Sequence, residues 1–192
     1  MITEIIAQYT KTKNTFENIL QNKLLIQNIE QAVLVIKKCL DNGGKVLLCG
    51  NGGSAGDSQH IAAELVGRFS FNRKALSAIA LTTDTSAITA IANDFSFEEI
   101  FSRQVEGLGR SGDVLIGFST SGTSKNVVKA IETAKTQGIH TVAFLGNDGR
   151  TIGSIVDISL NIPSSSTPNI QEGHIATGHI LCSCLENLMF KS

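Results

Sequence analysis

Residues 3–41 contain no proline or glycine, and their apolar positions keep a helical beat. Ile2, Ile5, Ile6, Tyr9, Phe16, Ile19 and Leu20, then Ile26, Ile29, Val33, Ile36 and Leu40, recur mostly at steps of three and four. That period predicts two amphipathic helices with a break near Asn22, the second ended by Asn42-Gly43-Gly44. From Lys45 onward the pattern changes. Short apolar runs at Lys45–Cys49, Leu76–Leu81, Asp113–Phe118, Thr141–Leu145 and Asp157–Ile162 read as buried strands. Between and after them, Ser54–Gly67, Thr85–Ala92, Ser96–Leu108, Thr123–Gln137, Thr151–Ser154 and Ile170–Phe190 read as helices. The alternation predicts an α/β fold: a five-stranded parallel sheet in a three-layer α/β/α sandwich, preceded by the long N-terminal helices. No repeat or low-complexity tail suggests a second domain, so 1–192 reads as one unit. Pro163–Pro168 reads as a loop crossing the sheet edge.

Composition narrows the function. The 192 residues suffice for one real core, and the net charge of −1, with no basic block, argues against nucleic acid or an anionic membrane as partner. Charged residues make up 17% and apolar ones 42%, against roughly 25% charged in an ordinary soluble domain; some surface is expected to be buried in an oligomer. No apolar run reaches the roughly 18 residues of a membrane span. The start, Met1-Ile2-Thr3-Glu4, lacks a basic leader, so a cytoplasmic location is expected. Cys39, Cys49, Cys182 and Cys184 form no C-x-x-C pair and are expected to be buried, reduced thiols.

Four segments carry candidate chemistry. Gly50-Asn51-Gly52-Gly53-Ser54-Ala55-Gly56 follows the first strand and opens a helix. Glycines there permit close approach of backbone to a ligand, or serve a tight strand-to-helix turn. Ser119-Thr120-Ser121-Gly122-Thr123-Ser124 places five hydroxyls between a strand and a helix, a setting that suits phosphate, though Ser121 or Thr123 could instead cap the helix. His60 and Glu64 stand four apart on one helix and share a face. Gln171 and His179, eight apart, differ by about 80° around the last helix. His174 lies on a more divergent face, and His140 precedes a strand as an ordinary residue. His60, Glu64, Gln171 and His179 together offer the donors of a divalent metal site, zinc first. Without metal, Glu64 and His179 remain an acid/base pair.

These residues together resemble a known family. Asn51-Gly52-Gly53-Ser54, Gln59-His60-x-Ala62-Ala63-Glu64-Leu65, Asn93-Asp94-Phe95, Ser119-Thr120-Ser121-Gly122-x-Ser124 and Gln171-Glu172-x-His174-x4-His179 are similar to the phosphoheptose isomerases of the sugar isomerase (SIS) domain family. The resemblance covers nearly the whole chain. It implies a homotetramer with active sites between subunits and one zinc per subunit, held by His60, Glu64, Gln171 and His179. It implies conversion of sedoheptulose 7-phosphate to D-glycero-D-manno-heptose 7-phosphate, the first step towards nucleotide-activated heptose for lipopolysaccharide or capsule. Ser54, Ser119, Thr120, Ser121 and Ser124 would hold mainly the phosphate end, and Asn51, Gly52, Gly53, Asn93 and Asp94 the sugar, with Glu64 and Gln171 also touching substrate. Aldose–ketose isomerisation needs a base for a carbon-bound proton and an acid for the oxygens; Glu64 and His179 fit these roles. Asn93 reads equally well as the end of a helix, with Ser96-x-x-Glu99 as capping box for the next. The family carries Asp or Ala where this chain has Pro168, and the Asp that helps to hold substrate in some members is absent here. Two rivals share the fold. A replication-initiator-associating binding module lacks the acid and the final histidine, both present here. A sugar-phosphate-sensing regulatory domain usually comes with a DNA-binding segment for which this chain has no room.

Overall fold

The structure, a computed structural model, describes residues 1–191. Helices α1 (Ile2–Gln21) and α2 (Lys23–Asp41) meet at Asn22, whose side chain accepts a hydrogen bond from Leu25 N and so starts α2. Five parallel strands follow: β1 (Val46–Gly50), β2 (Ala78–Ala80), β3 (Val114–Ser119), β4 (His140–Gly146) and β5 (Ile158–Ile162). Their order across the sheet is β2-β1-β3-β4-β5. Helices α3 (Gly53–Val66), α4 (Thr85–Asp94), α5 (Ser102–Leu108), α6 (Lys125–Thr136), α7 (Arg150–Ile155) and α8 (Thr167–Phe190) cover both faces.

Every residue of β1 and β3 is buried, as expected for central strands covered on both sides. Alternate side chains feed two cores. Leu48, Ile116, Phe118 and Phe144 join Ile36, Ile61 and Leu181 from α2, α3 and α8. Leu47, Leu115 and Leu145 join Phe101, which immediately precedes α5, and Ile131 and Ile152 from α6 and α7. This is the expected α/β/α sandwich. Helix α1 buries only Thr15 and Ile19 and leaves Ile2, Ile6, Tyr9 and Leu20 exposed.

Four local expectations change. The Ser96–Leu108 helix is split into a 3-10 turn at Phe97–Glu99 and α5. Its capping box does not form: the Ser96 side chain makes no cap bond, and the Glu99 carboxylate accepts from Lys129 Nζ at 3.3 Å. Helix α8 begins at Thr167 with Pro168 in its first turn, where the missing N–H has no partner to lose, which shortens the preceding loop. Of the cysteines, Cys184 is exposed; the other three are buried.

Chain order places the functional end. The chain runs from β1 to β2 on one side, then crosses back to β3 on the other. Such a reversal opens a crevice at the carboxyl ends of the two strands. The pairing of Gly50 with Phe118 sets the turn after β1 directly beside the turn after β3.

Candidate active site

The turn after β1 depends on glycine at two points. Gly52 has φ 55° and ψ −121°, a conformation that L side chains avoid. At Gly53 a Cβ would overlap the Gln171 amide, so the bare backbone lets α8 approach. Asn51 faces across to Asn126 in the first turn of α6, and the two amides exchange hydrogen bonds of 2.9 and 2.8 Å. Asn126 is buried. It ties the two turns together, and the sequence reading did not single it out. A small cavity of about 170 Å³ flanks this turn, with Asn51, Gly52, Thr82, Ile88 and Phe101 in its wall. The larger concavity, about 420 Å³, lies between α5 and α6 around Arg103 and Lys129.

In the turn after β3 the hydroxyls bond to one another. Ser119 Oγ lies 2.9 Å from Ser124 Oγ and 3.4 Å from Ser121 Oγ. Ser121 Oγ accepts from Thr123 N at 3.3 Å and from Thr123 Oγ1 at 3.1 Å. Ser124 occupies the N-cap of α6, with no side-chain cap bond. Neither Ser121 nor Thr123 caps the helix. Gly122, at φ 67°, packs against the Gly149 carbonyl and accepts from Ile152 N at 3.0 Å, so α7 backs the turn. A cluster of hydroxyls at the start of a 12-residue helix presents donors and the positive end of the helix dipole together, the arrangement that holds phosphate. Ser54 is buried at the head of α3, and Thr120 is half-buried.

The second centre lies where α3 and α8 run side by side. Gly178 packs on Ile61, where a Cβ would come within 2.6 Å of Ile61 Cδ1. This close approach brings His60 Nε2 to 2.8 Å from His179 Nε2 and leaves Glu64 Oε1 at 3.3 Å from His60 Nε2. One ligand atom from each of the three residues lies within 4.8 Å of the others. The Phe69 ring stands 5.7 Å from the His179 ring. Two imidazole nitrogens facing each other beside a carboxylate leave room for at most one hydrogen between the rings, and a cation suits that space. A tetrahedral zinc with bonds near 2.0–2.1 Å spaces its ligand atoms roughly 3.3 Å apart, so the donor set fits.

Three of the four expected donors therefore come together. The Gln171 amide lies over Gly53 and beside Asp57, a residue within reach of the His60 charge. A helix rises about 12 Å over eight residues, so the rotation that relates Gln171 to His179 does not by itself bring them to one point. Asp57, which the sequence reading also passed over, is buried with one carboxylate oxygen unpaired. Burial raises its pKa, and the Gln171 amide and His60 oppose that rise. Asn93 and Asp94 end α4, exposed; Asn93 Nδ2 donates to Asp94 Oδ1 at 2.9 Å. His174 is fully buried in the core, as its divergent face suggests.

A parallel sheet with two polar turns at its switch point, and a His–Glu cluster held between two helices, define an α/β protein built to bind its ligand at the strands' carboxyl ends. The sequence model of the SIS domain matches residues 8–146, and the chain belongs to that family. A phosphoheptose isomerase of Geotalea daltonii is 53% identical over 190 residues, covering 99% of this chain and 98% of that one. One from Helicobacter pylori strain P12 is 52% identical over 183 residues, covering 95% and 92%. The structure of a phosphoheptose isomerase from Neisseria gonorrhoeae superposes with a TM-score of 0.92 at 42% identity, covering 97% of this chain and all of that one. At this identity, over nearly the full length of both chains, the chain belongs to the phosphoheptose isomerases. The Vibrio vulnificus NanR protein complexed with ManNAc-6P shares the fold alone, with a TM-score of 0.69 at 16% identity and coverage of 98% and 63%.

Proposed function

We propose that this chain is the isomerase that converts sedoheptulose 7-phosphate to D-glycero-D-manno-heptose 7-phosphate through an enediol. The observation that carries the reading is the meeting of Glu64 and His179 from two helices, on a fold whose strand-end turns suit phosphate. Ser54, Ser119, Thr120, Ser121 and Ser124 hold the phosphate, and Asn51, Gly52, Gly53, Asn93, Asp94 and Gln171 hold the sugar. His60 follows Gly53 by seven residues, about 10 Å along α3, a distance an extended seven-carbon chain can bridge. Glu64 takes the proton from the carbon beside the carbonyl and returns it to the neighbouring carbon, while His179 moves protons at the two oxygens. His60, Glu64 and His179, with Gln171 as fourth donor, would hold a zinc ion. Zinc bound there supplies a Lewis acid for the sugar carbonyl. A carboxylate held by metal would be a weaker base, so Glu64 would serve as base when it faces the substrate.

The apolar face that α1 leaves exposed supports a homotetramer, with residues 1–41 in its contacts and the whole chain acting as one domain. Among the described residues no helix is long and apolar enough to cross a membrane, and a cytoplasmic enzyme supplying surface-glycan heptose fits that finding. The binding-module reading is disfavoured because Glu64 and His179 are both in place. The test is incubation of the purified protein with sedoheptulose 7-phosphate, following aldose formation, alongside Glu64→Gln and a metal analysis of protein kept free of chelator. Turnover by the unaltered protein, none by the variant despite substrate binding, and bound zinc are expected. Equal turnover by Glu64→Gln would remove the base assignment, and a metal-free, fully active enzyme would remove the zinc.

A further inference from the structure

Below the acid/base cluster, the loop that follows α3 is joined to α8 by a buried ion pair. Arg73 Nε donates to Glu186 Oε1 at 3.0 Å, and the two side chains are 2% and 1% exposed. The same guanidinium donates through Nη2 to the Glu64 carbonyl at 2.8 Å and through Nη1 to the Leu65 carbonyl at 2.7 Å. Those carbonyls belong to the last turn of α3, which has no following turn to satisfy them. Glu186 stands seven residues after His179, on nearly the same face of α8. Its carboxylate also accepts from Phe69 N at 3.0 Å, Ser70 N at 2.8 Å and Ser70 Oγ at 2.7 Å. The loop is thus wrapped around Glu186, and the Phe69 ring is set against His179. Phe190 closes the other side, its ring centre 5.9 Å from the Arg73 guanidinium carbon.

We infer that Arg73 and Glu186 are positioning residues whose clamp sets the spacing of His60, Glu64 and His179 for metal binding and proton transfer. A purely structural ion pair would need no such address. Here one side grips the backbone of Glu64 itself, and the other grips the helix of His179 together with the ring that packs on it. Guanidinium is suited to this because its donors lie in one fixed plane and can serve a carboxylate and several carbonyls at once. Functional groups must be held to within roughly 0.5 Å, and α3 and α8 have no covalent link near this point. Burial alone would raise the Glu186 pKa, but the bonds from Ser70, Phe69 and Arg73 bring it down to about 2, so the anion persists at neutral pH.

The inference rests on the metal and acid/base reading above, and its test separates the two. Arg73→Lys keeps the charge and loses the fork; Phe69→Leu keeps the clamp and removes the ring from His179. Each variant and the unaltered protein are titrated with Co²⁺ alone by calorimetry, then assayed for kcat and KM with sedoheptulose 7-phosphate. Arg73→Lys is expected to weaken Co²⁺ binding about tenfold, the usual scale for loss of a group that orients metal ligands. Its kcat should fall similarly, with KM within about twofold. Phe69→Leu should lower kcat and displace the pH–rate profile. A folded Arg73→Lys with unchanged Co²⁺ affinity and kcat overturns the inference. Should Arg73→Lys not fold, Glu186→Gln decides, since it takes the charge out of the clamp and keeps a side chain of the same shape; unchanged Co²⁺ affinity and kcat in that variant overturn the inference equally. If the unaltered protein isomerises without binding Co²⁺, the metal reading fails and the clamp is judged on kcat. If it binds Co²⁺ without isomerising, the substrate assignment fails and the clamp is judged on affinity.

Discussion

His174 makes the fold sensitive to mild acid. Its Nε2 lies 3.0 Å from the Leu145 carbonyl, which makes Nε2–H the donor, while Nδ1 is buried with no partner. Phe118 and Phe144 turn toward it at centroid distances of 6.1 and 5.9 Å. Burial pushes its pKa down from 6.5 to about 4, against the opposing pull of the Leu145 carbonyl. The folded protein therefore holds the ring neutral where the unfolded chain would protonate it. This contribution is complete above pH 6.5 and is lost as pH falls towards 4, about 3 kcal/mol in all and about 2 kcal/mol by pH 5. His174→Gln keeps an amide donor for Leu145 and cannot titrate. Urea unfolding of both proteins at pH 8, 6.5 and 5, at one protein concentration, isolates the effect. The floor of pH 5 keeps clear of Glu186, whose pKa falls from 4.5 to about 2 on folding, so its own loss comes at lower pH. The variant should be less stable at pH 8 by about 1 kcal/mol through poorer packing. Its loss between pH 8 and pH 5 should be about 2 kcal/mol smaller than that of the unaltered protein. Two curves parallel within about 0.5 kcal/mol would refute the reasoning.

Two predictions concern the substrate side. Ser121→Ala combined with Ser124→Ala removes two of the three mutually bonded hydroxyls; KM for the phosphosugar should rise about tenfold with kcat within about twofold, and an effect on kcat alone would count against phosphate binding there. Gly53→Ala places a methyl group where the Gln171 amide now lies, and that flexible amide can swing away, so Tm should hold within about 3 °C while kcat/KM falls about tenfold. Unchanged kcat/KM would detach Gln171 from the reaction.

The sheet and most helices were legible because their signals are local. The glycine- and proline-free stretch, its period and the break at Asn22 need no knowledge of the rest of the chain, and neither do the fully apolar cores of β1 and β3. The Ser96–Glu99 box failed because Glu99 has a lysine within reach on α6, a competitor that sequence spacing does not display. His60, Glu64 and His179 were found because i, i+4 spacing and residue type suffice to nominate them. Gln171 is nominated by its angle around α8, and its amide lies over Gly53 at the head of α3. Asn126, Asp57, Arg73 and Glu186 left no such signal. Each matters through a partner 75 or more residues away, or through burial, and a polar residue on a helix looks the same whether it faces water or another helix.

The bonded amides of Asn51 and Asn126 also bear on how the protein ages. Asparagine is thermolabile, and at Asn51 the next residue is Gly52, which has no side chain to shield the amide carbon from the following backbone nitrogen. The pairing with Asn126 holds that amide across the crevice. If Asn51 hydrolyses to aspartate, a negative charge appears beside the hydroxyl turn, and one half of the bridge between the two turns is lost. Stored protein would then lose affinity for its anionic substrate before it loses its fold, and a peptide map would locate the change at this dipeptide.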